Sequence, residues 1–349
     1  MRLTWKTGNI AENVITRLIP SLMVLLIGCK TTQDESTWKR YEFNEPEMGV
    51  NFVIKLYAPD EVLAKNAARA VYDRIEVLNS IFSNYDPASE LNRLTRNTVG
   101  KAVKVSSELF AVLHRAQILS LETNGAFDVT MGPYIELWRK ARRQKQLTDP
   151  ELLRKVSKSV GYQNLDLIPH KQSIACMAPG LHLNLGGIAK GWAVDEALEI
   201  LRAHGIRRAL CAASGDIAIG GAPPNKKGWL VGVRSVDRQG NFYDQMLNLK
   251  NCAVSTSGDT FQFIEINGKR YSHIIDPRTG YGLTNRVMVT VITSSAVESD
   301  SKATAISVLG LNSGIAYAKK KDIAIVITPL TGEKRAPQVS PKWKNYLNN

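Results

Sequence analysis

The stretch Leu183–Ala197 reads LNLGGIAKGWAVDEA. With Leu181 and His182 before it, Leu-His-Leu-Asn-Leu alternates with a period of two, which predicts a strand. Gly186-Gly187 breaks the alternation. From Ala189 to Ala203 the apolar residues recur at helical spacing, and Gly205 follows as a stop signal. A strand therefore passes into a helix through a glycine pair, with Lys190 in the first helical turn.

The same two textures alternate outward. VNFVIKLY, Val50 to Tyr57, predicts a strand. Residues 60–82 predict a helix whose apolar face carries Val62, Leu63, Ala67, Ala70, Val71, Ile75, Leu78 and Ile81. Asp60 and Glu61 suit its electropositive start. A second amphipathic helix is expected over 106–122. Downstream, strands are expected at 207–212, 228–234, 246–254, 261–266 and 287–293, then a final helix from near Asp300 to before Gly310. Short, turn-rich connections predict an α+β fold of mostly antiparallel sheets with packed helices. No linker interrupts residues 45–349, which read as a single domain.

The N-terminus differs. Arg2, Lys6 and Arg17 precede the apolar run LIPSLMVLLIGC, Leu18 to Cys29. It is short for a membrane span and reads as a signal-peptide core, giving residues 1–28 as the signal. Leu26-Ile27-Gly28-Cys29 resembles a bacterial lipobox, which implies cleavage before Cys29 and lipidation of its thiol. Residues 29–44 read as the lipidated Cys and a polar tether. A cytosolic protein with an apolar first helix is the weaker alternative, because charge, apolar run, small residue and Cys fall in the lipoprotein order. Lys30 stands where an inner-membrane retention signal has Asp, so a lipid anchor on the periplasmic side of the outer membrane is expected.

The chain has 349 residues, 44% hydrophobic and 22% charged, without regular repeats. Cys176, Cys211 and Cys252 permit at most one internal disulfide, and none lies in a zinc-like spacing. Net charge is +13; residues 1–28 carry +2 of it, leaving +11. That balance suits anionic partners such as phosphate ligands or lipid headgroups. The densest basic run, Arg139 to Lys145, reads as a solvated helix face rather than a nucleic-acid patch.

Five segments hold candidate chemistry. In the opening stretch, free N–H groups at a helix start and Lys190 suit a phosphate, although a plain tight turn explains the glycines equally well. In Asp300-Ser301-Lys302-Ala303-Thr304, Asp and Thr share one helix face and offer hard oxygens to Mg²⁺, but Asp300 or Ser299 could simply cap the helix. GAFDVTMGPYIELW, Gly125 to Trp138, places Asp128 and Thr130 beside an aromatic and a Gly-Pro turn. FSNYDPASELNRL, Phe82 to Leu94, ends the first helix with Tyr85, a helix-end contact or a platform for a flat ring. RYSHIIDPRTG, Arg270 to Gly280, sets one of the chain's five histidines, His273, in a strand-like run opposite Ser272 and Ile274. A lone histidine is more often structural than catalytic.

Taken in chain order, with SGDIAIGG (Ser214 to Gly221) and VSTSGD (Val254 to Asp259), the seven segments resemble the flavin transferase family often called ApbE, the FAD:protein FMN transferases. The resemblance covers most of residues 45–310. It implies cleavage of FAD and transfer of the FMN half to a Ser or Thr hydroxyl of another protein. The implied acceptors are flavin-carrying subunits of membrane electron-transfer complexes, with a motif like Asp-x-x-Ser/Thr-Gly-Ala-Ser/Thr. It also implies Mg²⁺ on Asp300, Thr304 and the Gly187 carbonyl. Met48, Ala126, Phe127, Asp128, Asn184, Lys190 and Ile274 fall where the family contacts FAD, and Tyr85 where it packs on the isoalloxazine. His273 becomes the base that deprotonates the acceptor hydroxyl, with Asp276 a candidate to orient it.

The sequence departs from the family pattern at four places. Asn184 replaces a usual Asp and removes a charge near the cofactor. Trp192 replaces a smaller aromatic, Ala212 to Asp216 replaces a Gly-Gly-Asp, and Ala303 stands where some members carry a second acid. Two other activities use the same parts: hydrolysis of FAD to FMN and AMP, towards which relatives with a less favourable residue at the Tyr85 position lean, and binding of FAD without turnover by an envelope lipoprotein.

Overall fold

Strand alternation in Val50–Ala58 buries Phe52, Ile54, Leu56 and Ala58 completely on one face. Burial of the Phe52, Ile54 and Leu56 side chains contributes about 1.5–3 kcal/mol each. The computed structural model describes residues 35–237, 241–258, 263–331 and 336–347. The signal segment, Cys29 and Asp259 lie outside the described residues.

In chain order the elements are β1 (Lys39–Glu47), β2 (Val50–Ala58), α1 (Glu61–Phe82), α2 (Glu90–Thr95), β3 (Val103–Lys104), α3 (Ser107–Glu122), α4 (Gly132–Gln144) and α5 (Pro150–Val156). Then follow β4 (Leu165–Ile168), β5 (Ser173–Cys176), α6 (Ala189–Ala203), β6 (Ala209–Ala213), β7 (Asp216–Ile219), β8 (Trp229–Val236) and β9 (Phe242–Leu249). The last are β10 (Cys252–Gly258), β11 (Phe263–Ile266), β12 (Lys269–Ser272), β13 (Val287–Thr293), α7 (Ala296–Lys320), β14 (Ala324–Pro329) and β15 (Gln338–Val339).

An eight-stranded sheet runs β1-β2-β6-β7-β10-β13-β14-β15, with every neighbouring pair antiparallel. Side chains alternate between its two faces. Phe52, Ile54, Cys211, Ala253, Val291 and Ile325 face α1, α6 and α7 in the main core. Leu210, Val254, Ile292 and Val326 face the β8–β9 hairpin and Trp343. A smaller core joins α4 and α5 to the β11–β12 hairpin through Tyr134, Trp138, Leu153, Ile266 and Tyr271. The α+β, mostly antiparallel expectation is met.

Several local expectations are corrected. Lys39 to Asn44, assigned to the tether, are paired residue by residue with β2 as an edge strand. The expected 181–185 strand reduces to one bridge, His182 with Met131. The expected 246–254 strand is two: β9 ends at Leu249, and Asn251, at φ 49°, donates its N–H to Gly220 and turns the chain into β10. The strand through His273 stops at Ser272, whose hydroxyl accepts the Ile274 N–H.

The final helix starts at Ala296, four residues before Asp300, and continues past Gly310 as a second helical piece. Gly310, at φ 75° and ψ −175°, makes the break between them. The Ser307 carbonyl just before that break accepts from Asn285 Nδ2 instead.

Candidate functional site

The glycine turn, Thr304 and Val308 of α7, α4, the Tyr85 loop and the segment after β12 close around a cavity of about 290 Å³. Tyr85, Ala126, Phe127, Asp128, Asn184, Gly187, His273, Ile274 and Thr304 all line it. Lys190 and Asp300 sit behind the glycine turn rather than on the cavity wall. Met48 is not among the lining residues; it occupies the β1–β2 turn at φ 50° and packs against the main core.

Asn184 shapes the turn. Its side-chain oxygen accepts the Gly186 N–H at 2.9 Å, and its own N–H reaches the Val129 carbonyl at 2.8 Å. A Cβ on Gly187 would lie 3.1 Å from Thr304 Oγ1 and 3.4 Å from the Phe127 ring. The missing side chain therefore leaves open the space in front of the Thr304 hydroxyl.

Below the turn, Lys190 Nζ is 2.8 Å from Asp216 and 3.8 Å from Asp300. It also lies 3.5 Å from the Gly186 carbonyl. Both acids are buried, Asp216 at 4% and Asp300 at 2% exposure. Burial pushes the Asp300 carboxyl up to about 7, Asp216 adds to the rise, and Lys190 opposes it. Burial alone would lower the Lys190 ammonium, but Asp300 and Asp216 hold it above its ordinary value. Once Asp300 is ionised, two carboxylates around one ammonium leave a net negative, buried set beside the glycine turn.

Asp300 is not the helix cap. The α7 cap position is Ser295, without a side-chain bond of its own. The free N–H groups of Ala296 and Val297 go instead to Asp195 Oδ1 and Oδ2 at 2.7 and 2.8 Å. In return, Asp300 Oδ2 accepts the Gly191 N–H at 3.1 Å. Gly191 permits this crossing, since a Cβ there would meet the Ala296 carbonyl at 2.3 Å and Asp300 Cβ at 2.9 Å. Burial raises Asp195 to about 6, against the two backbone N–H groups it accepts.

The FSNYDPASELNRL segment folds into a knitted loop. Ser83 Oγ accepts from the N–H groups of Tyr85 and Asp86, and Asp86 Oδ1 accepts from Ala88. Asn92 Nδ2 donates to the Asp86 and Ser83 carbonyls, and buried Ser89 donates to Ser83. Tyr85 therefore projects, 76% exposed, from a fixed base. The Arg139 guanidinium lies 4.5 Å from its ring centroid and donates to its hydroxyl at 2.7 Å.

Asp128 Oδ1 accepts from both the N–H and the hydroxyl of Thr130 at 2.7 Å. Burial raises this carboxyl, and the Thr130 bonds oppose the rise. His273 is half-buried in the bend after β12. The Asp276 carboxylate is committed to its own turn, where it takes the Arg278 guanidinium at 2.8 and 2.7 Å.

Sequence reasoning missed Asp216, Asp195, Gly191, Arg139 and Arg142. Asp216 and Asp195 stood inside quoted motifs, but only the sheet register and the helix crossing reveal their contacts. The basic run expected on a solvated face instead turns Arg139 and Arg142 towards the cavity.

Among known proteins, the chain is 30% identical over 331 residues to the FAD:protein FMN transferase of Vibrio cholerae, covering 93% of this chain and 97% of that one. It is 27% identical to the protein of the same name from Haemophilus influenzae, covering 89% and 92%. The solved Vibrio cholerae flavin transferase ApbE superposes with a TM-score of 0.82 at 29% identity, over 89% of this chain and all of that one. The Pseudomonas stutzeri flavinyl transferase ApbE, in its apo form, gives 0.81 at 25% identity, over 89% and 98%. A profile of the ApbE family matches residues 48–327, which contain every segment that lines the cavity. On that match, this chain belongs to the ApbE family.

Proposed function

We propose that this protein is an FAD:protein FMN transferase that moves the FMN half of FAD onto a Ser or Thr hydroxyl of an acceptor protein. The observation that carries the proposal is the single cavity shared by Tyr85, the Gly186-Gly187 turn, Thr304 and His273, with Lys190, Asp216 and Asp300 behind the turn. Tyr85 offers an exposed aromatic face for the isoalloxazine. The glycine turn and Lys190 suit the pyrophosphate.

His273 takes the proton from the acceptor hydroxyl. The hydroxyl oxygen forms a new P–O bond at the phosphorus on the FMN side. The bond from that phosphorus to the bridging oxygen breaks, and AMP leaves with that oxygen.

The donor set fits a hard divalent ion. Among the described residues no group of three or more His, Cys, Asp or Glu gathers as a metal cluster. One carboxylate (Asp300), one hydroxyl (Thr304) and a carbonyl (Gly187) suit Mg²⁺, which keeps waters and takes phosphate oxygens. The space that a Gly187 side chain would fill lies in front of the Thr304 hydroxyl, and with Asp300 ionised the Lys190 set has one negative charge left over. Bound there, the ion supplies charge neutralisation at the pyrophosphate.

The proposed acceptors are flavin-carrying subunits of membrane electron-transfer complexes, reached from a lipid anchor at Cys29 on the periplasmic side of the envelope. The order of charge, apolar run, Gly28 and Cys29 supports that address.

The test mixes the full chain, in detergent, with FAD, Mg²⁺ and an acceptor domain carrying Asp-x-x-Thr-Gly-Ala-Thr. Flavin fluorescence on the denatured acceptor is expected. Free FMN and AMP without a labelled acceptor would make the protein a hydrolase. Intact bound FAD would make it a flavin carrier.

A further inference from the structure

The C-terminal half of α4 carries charge that the rest of the described molecule does not use. Arg139, Lys140, Arg142, Arg143 and Lys145 fall within seven residues. The one acid of the helix, Glu136, is bonded to His182. Arg139 engages Tyr85, while Lys140, Arg142, Arg143 and Lys145 have no ion-pair partner among the described residues.

Arg139, Arg142 and Arg143 are spaced three and four residues apart, so they lie on one side of the helix and repel one another. Attraction to the helix C-terminus favours cations in the last turn. That attraction explains neither the turn of Arg142 into the cavity wall nor the further cations on either side.

The position of the stripe decides what it could bind. Met131, at the start of α4, pairs with His182 beside the glycine turn. Arg142 is eleven residues further along, about 16 Å at the helical rise. The charge of FAD is confined to its pyrophosphate, which Lys190 and the glycine turn suit at the other end. The isoalloxazine needs no cation stripe. The remaining reactant is the protein acceptor.

We propose that the Arg139–Arg142–Arg143 stripe is the docking surface for an acidic segment of the acceptor protein. The proposal rests on the transferase reading above. The stripe steers the acceptor to the cavity mouth and lowers its KM; Arg143, which does not line the cavity, reports this role apart from FAD binding.

The test uses the full chain in detergent and two versions of one acceptor domain carrying Asp-x-x-Thr-Gly-Ala-Thr. One has glutamates at the surface positions flanking the motif; the other has glutamines. At low salt, kcat/KM is expected to favour the glutamate acceptor by about tenfold, and high salt should erase the preference. In Arg143→Gln, which changes the stripe outside the cavity wall, the ratio should fall through KM, with FAD affinity from flavin quenching unchanged. Arg143→Lys should restore most of the preference. Equal use of both acceptors by the unaltered protein, or a preference that is undiminished in Arg143→Gln, would overturn the docking surface alone. Absence of flavin on either acceptor while FAD stays bound would overturn the transferase reading, and the docking surface with it.

Discussion

Asp195 and Asp300 each bind the backbone of the other's helix. Asp195, on α6, accepts the first two N–H groups of α7, and Asp300, on α7, accepts the Gly191 N–H in the first turn of α6. The clasp fixes the crossing at which Lys190, Asp300 and Thr304 come together. Asp195→Ala is expected to cost about 1–2 kcal/mol of stability, as for loss of a strong N-cap. Thermal unfolding and Mg²⁺ titration should both register the loss. Asp195→Asn, which keeps one acceptor oxygen, should fall between. Unchanged unfolding in the Ala variant would mean that water replaces the clasp without cost.

The buried Asp300 gives a pH dependence with a definite sign. Its folded pKa, about 7, lies above the ordinary value of 3.8, so the folded state holds this proton more tightly than the unfolded state. Its contribution to stability is therefore full below the unfolded pKa and is lost as pH rises through the folded one. A metal must displace the same proton, so Mg²⁺ affinity is expected to rise with pH below 7, by up to about tenfold per unit. Thermal-shift titrations with Mg²⁺ at pH 6 and pH 8 check this. An equal shift at both would remove Asp300 from the metal site.

Legibility in the sequence followed the range of the interaction. The ends of α1 were read nearly to the residue because its apolar period and Asp60 are local signals, and Asp60 does accept the Leu63 N–H. Val62, however, expected on the apolar face, is exposed, and Ala64, Ala68 and Tyr72 are buried instead. The start of α7 was misread because its cap comes from Asp195, 101 residues away, so nothing near Ala296 announces it. β9 and β10 merged in the reading because apolar residues (Leu247, Leu249, Ala253, Val254) stand on both sides of Lys250-Asn251; φ 49° at Asn251 turns the chain from hairpin to main sheet. Asp216 went unassigned for the same reason as Asp195, since its partner Lys190 lies on another element. Tyr85 and the glycine turn were legible because each is built from neighbours in sequence.

Tyr85 and Arg139 give separable outcomes. Removing the aromatic ring in Tyr85→Ala is expected to weaken FAD binding by about 1 kcal/mol, roughly fivefold in Kd. The same variant should shift product from labelled acceptor towards free FMN. Tyr85→Phe keeps the ring and loses only the bond from Arg139, so its FAD affinity should stay near that of the unaltered protein. Flavin fluorescence quenching measures both. Equal weakening by the two substitutions would assign the role to the hydroxyl instead of the ring.

His273 and Asp276 stand three residues apart, and their expected responses differ. His273 lines the cavity, so His273→Ala should bind FAD normally yet lose transfer by about 10²–10⁴-fold, the usual contribution of a general base. Asp276 holds Arg278 within its own turn, so Asp276→Asn should loosen that turn without moving the pH profile of transfer. The two variants are compared by labelled-acceptor rate across pH, with FAD quenching as the control for folding. Transfer at the unaltered rate in His273→Ala would exclude the imidazole as base. A displaced acidic limb in Asp276→Asn would instead make Asp276 the group that orients it.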